Sequence, residues 1–115
     1  MTDTILIQAI CQKIYDKHGF NILALDVHDV CSMTDYFVIA EGTVDRHVQA
    51  LSQAVYEVLL EQKIKPLRIE GGKEGDWIVL DYGDFMVHLF IPELREKYQL
   101  EQVWKAGKVV DVKLL

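Results

Sequence analysis

Residues 77–90 constrain this chain more than any other stretch. Trp77, Ile78, Val79, Leu80 and Asp81 read as one strand, and Phe85, Met86, Val87, His88, Leu89 and Phe90 as a second. Gly83 and Asp84 form a two-residue turn between them, and a loop of that length fixes the register of a hairpin. Tyr82 then faces Phe85, Leu80 faces Val87 and Ile78 faces Leu89, all on one side of the ribbon. The other side carries Asp81 with Met86, Val79 with His88 and Trp77 with Phe90, because successive side chains alternate. The first side is apolar and reads as core. The second mixes large aromatics with a carboxylate and an imidazole, which suits a surface that binds another protein. The competing expectation is that helices bury both sides, as is usual in α/β sheets.

The rest of the chain supplies the layers around that ribbon. Its 115 residues suffice for one domain with one modest core. Thr4 is placed to cap a first helix that Gly19 ends near His18, with Leu6, Ala9, Ile10, Ile14 and Tyr15 as its apolar stripe. Residues 22–27 form a short strand, and residues 29–35 a loop. Tyr36, Phe37, Val38, Ile39 and Ala40 form a strand apolar enough to be buried on both faces. Thr43 is placed to cap a second helix reaching about Gln62, its buried face made by Val44, Val48, Leu51, Val55 and Leu59. Leu67 to Glu70 is a short strand that Pro66 helps to start. Gly71, Gly72 and Gly75 precede the hairpin, and Pro92 opens a short helix to about Tyr98. The order αββαβββα predicts a single α/β domain with a mixed sheet of about five strands and flanking helices.

Charge and composition narrow the function. The formal net charge is −6, so the chain lacks the clustered Lys and Arg that neutralise nucleic-acid phosphates. An acidic chain still docks on a basic protein. Cys11 and Cys31 match no metal spacing and read as reduced, buried thiols. No apolar run approaches the ~18 residues of a membrane span. The first residues lack the basic and apolar regions of a secretory leader. The expectation is a cytosolic protein.

Catalytic motifs are weak. Lys73 precedes the last glycine of residues 70–75 and a strand follows, whereas a phosphate loop ends in Gly-Lys-Ser/Thr and opens a helix. Cys31 and Ser32 near His28 invite a nucleophile reading, but no strand-turn-helix elbow surrounds them. His28, His47 and His88 lack metal-ligand spacing. Asp26, Asp35, Asp45, Asp81 and Asp84 are the candidates for a two-metal carboxylate set, yet no Asp-x-Asp pair lies on one strand. We therefore expect no metal, no cofactor and no catalytic residue.

Several segments, taken in order, resemble one family. Residues 32–40, Gly42, Thr43 and residues 45–50 come first. Glu70, Gly71, residues 77–84 and residues 87–90 follow, then Arg95, Tyr98, Leu100, Glu101 and Trp104. This pattern resembles the ribosomal silencing factor family (RsfS, also called Iojap or YbeB). The match runs from about Ile5 to Trp104, which sets a domain at residues 1–104 and a tail at 105–115. Cys31, Met33 and Glu41 depart from the family's usual residues.

The resemblance implies a non-enzymatic regulator of translation. It implies binding to the large ribosomal subunit through large-subunit ribosomal protein fourteen, steric obstruction of small-subunit joining under nutrient limitation, a homodimer, and a sandwich similar to nucleotidyltransferases without their carboxylates. The alternative is a small nucleotidyltransferase-like, nucleotide-binding enzyme. With the aromatic face of the hairpin, this gives a partner-binding set of Trp77, Asp81, Tyr82, His88 and Phe90. Trp77 and Phe90 are expected as aromatic anchors, and Asp81 as the mate of a partner cation. Tyr82 belongs by its place at the tip, although the register puts its ring on the core side. Trp104, Val109, Val110 and Val112 need burial, either by adding a strand to their own sheet or against a second copy.

Overall fold

The computed structural model describes residues 3–71, 75–98 and 107–115. Expectations for Gly72, Lys73, Leu100, Glu101 and Trp104 lie outside the described residues. The elements are α1 (Asp3–Asp16), β1 (Phe20–Asp26), β2 (Tyr36–Glu41), α2 (Asp45–Glu61), β3 (Arg68–Glu70), β4 (Trp77–Asp81), β5 (Phe85–Phe90), α3 (Pro92–Tyr98) and β6 (Lys108–Val109). They build one mixed sheet in the order β3-β4-β5-β2-β1-β6. The described sheet has six strands, not five, because a two-residue piece of the tail pairs with the edge of β1. The β2–β5 pair is parallel and the remaining pairs are antiparallel.

Helices α1 and α2 lie on one face of this sheet. Ile7, Ile10, Cys11 and Ile14 of α1 meet Val48, Leu51, Val55 and Leu59 of α2 over Val38, Ala40, Ile78, Leu80, Val87 and Leu89. The α1 stripe is rotated slightly from its predicted position. Ile7 and Cys11 are buried, while Ala9 is half-buried and Tyr15 exposed. Both long helices end in the same way. His18, at φ 69°, donates to the Tyr15 carbonyl, and Gly19 donates to that of Ile14. Lys63, at φ 62°, donates to Leu60, and Ile64 to Leu59. Each is a Schellman motif whose left-handed residue is not glycine. Gly19 is still required at its place, since a Cβ there would lie 2.3 Å from Ile14 Cγ2.

The start of α2 differs from expectation. Val44, in extended conformation, is the N-cap and makes no side-chain cap hydrogen bond. It is 55% exposed, so it leaves the buried stripe. Thr43 is displaced to one residue before the cap. There its N–H donates to His47 Nδ1 (2.9 Å), while His47 Nε2 donates to the Lys17 carbonyl (2.8 Å). The imidazole thus does what a cap side chain does, and ties the end of α1 to the start of α2.

The tail folds back on its own domain. Val110 and Val112 pack against the core below α1 and α2. Gln8 exchanges two hydrogen bonds with the Lys113 backbone (2.6 and 3.0 Å), and Gln12 two with that of Leu115 (3.2 and 2.9 Å). Residues four apart on a helix rise about 6 Å and residues two apart on a strand about 6.6 Å, so the two amides match alternate residues of an extended chain. The tail adds a strand to its own sheet, as one of the two expectations had it, and Val110 and Val112 are packed, but Val109 is 70% exposed, so its expected burial does not hold. Val110 and Val112 therefore supply no argument for a dimer.

Candidate functional site

The hairpin register is the predicted one at every pair from Trp77 with Phe90 to Asp81 with Met86. At the tip, Gly83 takes φ 88°, as a primed two-residue turn requires. Tyr82 N–H donates to the Phe85 carbonyl (3.0 Å), and Gly83 N–H donates to Asp81 Oδ1 (2.9 Å). The Asp84 carbonyl accepts from the N–H groups of Asp35 and Tyr36, which fastens the turn to the start of β2.

The face opposite α1 and α2 holds the candidate site. Its floor is Leu25, Val27, Phe37, Ile39 and Phe90, with Leu23, Trp77, Met86 and Leu94 packed around them. Four rings form a connected group. Trp77 lies 4.9 Å from Phe90 and 6.3 Å from His88, and His88 lies 5.2 Å from Phe37, between ring centroids. Trp77 Nε1 donates to His88 Nδ1 (3.3 Å). Burial pushes the His88 pKa down to about 4 against a smaller upward pull from Asp81, so the ring is neutral with its proton on Nε2. That Nε2 is buried and has no hydrogen-bond partner among the described residues.

The predicted set divides by depth. Trp77 and Asp81 are partly exposed on this face. His88, at 6% exposure, and Phe90, at 0%, lie beneath it. Phe90 is a buried support for Trp77 and offers no surface of its own, because β5 runs through the interior of the sheet between β4 and β2. Tyr82 is on the opposite face, stacked on Phe85 at 4.9 Å, with burial pushing its phenol up to about 12. Asp81 already has a cation, since Arg68 Nε lies 3.2 Å from its Oδ2. Five residues outside the predicted set join the face. Met33, Arg68, Val79 and Met86, with Glu70 and Asp81, line a shallow groove of about 230 Å³. Met33 is 70% exposed. The pairing of Arg68 with Asp81 across β3 and β4 was the available signal for Arg68.

The histidine candidates have other partners among the described residues. His28 directs Nδ1 to Asp26 (2.7 Å) and Nε2 to Asp29 (3.0 Å), not to Ser32 or Cys31. The hydrogen bond to Asp26 raises the His28 pKa, and the same bond lowers that of Asp26. Burial pushes the Cys11 thiol up to about 12, which suppresses its thiolate. Among the described residues no group of three His, Cys, Asp or Glu side chains is placed to hold a metal ion. Nor is any described helix long and apolar enough to cross a membrane.

Fold and site together define a class: a small α/β domain with two helices on one sheet face and an aromatic, mixed-polarity surface on the other. The sequence matches the family described as "Ribosomal silencing factor during starvation" over residues 2–115. The chain belongs to the ribosomal silencing factor family. A ribosomal silencing factor of Bacillus subtilis is 35% identical over 97 residues, 84% of this chain and 82% of that one. A mouse protein named "Mitochondrial assembly of ribosomal large subunit protein 1" is 32% identical over 101 residues, 85% of this chain and 44% of the longer mouse chain. A crystal structure of a Chromobacterium violaceum protein superimposes with a TM-score of 0.88 at 27% identity, covering 100% of this chain and 95% of that one.

Proposed function

We propose that this chain silences ribosomes by docking the sheet face around Trp77 on the large ribosomal subunit, through large-subunit ribosomal protein fourteen. Occupying that protein blocks small-subunit joining sterically and represses translation under nutrient limitation. The observation that carries the reading is the partly exposed Trp77 held over His88 and Phe90 beside the Met33–Met86 groove. An aromatic anchor with adaptable methionines and a charged rim is the composition of a protein interface. The net charge of −6 suits a basic partner. The mouse relative is named for mitochondrial assembly of the ribosomal large subunit, which supports a large-subunit partner.

The same reading makes the protein a cytosolic regulator and not an enzyme. We take the sandwich as nucleotidyltransferase-like in layout only, as the family resemblance implies. A homodimer stays part of the proposal on the family resemblance alone. A monomer mass by light scattering at ~100 µM would remove it, since a micromolar Kd would then be well populated. The test of the docking face is a pelleting assay with purified large subunits. Trp77→Ala and Asp81→Lys, both folded, should each lose at least about tenfold in affinity, as interface anchors and reversed charges do. Undiminished binding by both would refute the assignment of this face.

A further inference from the structure

The site contains one oddity that packing does not explain. His88 is buried among rings, yet it is polar, and its Nε2–H finds no acceptor among the described residues. A buried donor without a partner costs free energy that an apolar side chain of similar size would not incur. The other nitrogen is engaged. Nδ1 accepts from the Trp77 indole at 3.3 Å.

Phe90 fixes where the Trp77 ring plane lies, with centroids 4.9 Å apart at 40°. A half-turn about Cβ–Cγ would exchange the Nε1 edge for the hydrocarbon edge and would also carry the six-membered ring to the other side. The directional bond from Nε1 to His88 Nδ1 favours one of the two states. The acceptor at His88 Nδ1 draws Nε1 inward and turns the hydrocarbon edge of the indole outward.

We propose that His88 is a positioning residue: it sets which edge of the Trp77 indole the docking partner meets. The inference rests on the reading that Trp77 touches that partner. His88 itself makes no contact, which is why it can be buried and still belong to the site. Pre-setting one indole orientation removes an ordering cost from binding.

The test uses the full chain, purified large subunits and four variants. His88→Leu removes the acceptor and also the orphaned donor. It should fold with stability equal to or above that of the parent, yet bind about fivefold more weakly. By NMR, its Trp77 indole N–H, assigned through Trp77→Phe, should move to the position of a solvent-exposed indole. His88→Asn puts a carbonyl oxygen near the place of Nδ1. It should recover the indole shift and most of the binding, even where its smaller volume lowers stability. A purely structural role predicts the reverse order, with binding following stability in both variants. Parent-like binding and an unmoved indole resonance in a folded His88→Leu chain would overturn the inference while leaving the docking face standing. If Trp77→Ala binds like the parent, the docking assignment falls and this inference falls with it.

Discussion

Acidification should destabilise this protein through His88, by an amount the structure allows one to work out. Burial holds the imidazole of the folded chain to a pKa of about 4, against 6.5 when it is solvated. As pH falls through the upper value, the unfolded chain takes up a proton that the folded chain refuses. Protonation therefore favours unfolding, and the contribution of neutral His88 is complete above pH 6.5 and lost as pH falls toward 4. One pKa unit is worth about 1.4 kcal/mol, so the full loss is about 3.4 kcal/mol and the loss near pH 5 about 2 kcal/mol. The assay is urea unfolding of the parent and of His88→Leu at pH 7 and pH 5. Every other titrating group is common to both chains, so the difference between them isolates His88. The parent should lose about 2 kcal/mol more than the variant between the two pH values. Parallel losses would show that His88 is not buried neutral, and would refute the account of the aromatic group around it.

Other perturbations test other parts of the fold. Lys63→Gly should raise stability by about 1 kcal/mol in urea, because glycine adopts the left-handed conformation at φ 62° without strain. Gly19→Ala should destabilise by more than about 2 kcal/mol, since the new methyl would fall 2.3 Å from Ile14 Cγ2 and 2.9 Å from the Ile14 carbonyl oxygen. Arg95→Ala should cost about 3 kcal/mol by stranding buried Glu41, whose Oε2 lies 3.2 Å from Arg95 Nη1. Replacing both partners with apolar residues should cost less than the single change, and a larger loss from the double would argue against the stranded-charge explanation.

The parts of the fold that were legible in the sequence are those set by short-range physics. The hairpin register followed from a two-residue turn and strict alternation, and every pair stands as read. Strand β2 announced its two-sided burial through an unbroken apolar run. The errors have a common cause, which is competition by distant partners. Thr43 looked like the cap of α2, but His47 reaches back to it and across to Lys17, a contact that no local pattern encodes. The hydrogen bonds of Gln8 and Gln12 to the tail, more than a hundred residues away, are likewise beyond any local pattern. Glu41 stood out only as a departure from the family's usual residues. Its reason is the Arg95 guanidinium and the Asn21 amide that converge on its carboxylate. In the site, alternation correctly put Trp77, Asp81, His88 and Phe90 on one face and Tyr82 on the other. It could not show depth. Whether an aromatic on a strand is an anchor or a floor depends on what neighbouring strands and α3 lay over it, and that is decided by topology.

The claim that organises all of this is that the protein engages the large ribosomal subunit at the surface needed for subunit joining. Sedimentation of the purified protein with separated subunits and with assembled ribosomes tests it most directly. The protein should travel with the large subunit, be absent from assembled ribosomes, and lower the yield of assembled particles when added before the subunits are mixed. Equal distribution between large subunits and assembled ribosomes, with joining unaffected, would contradict the account.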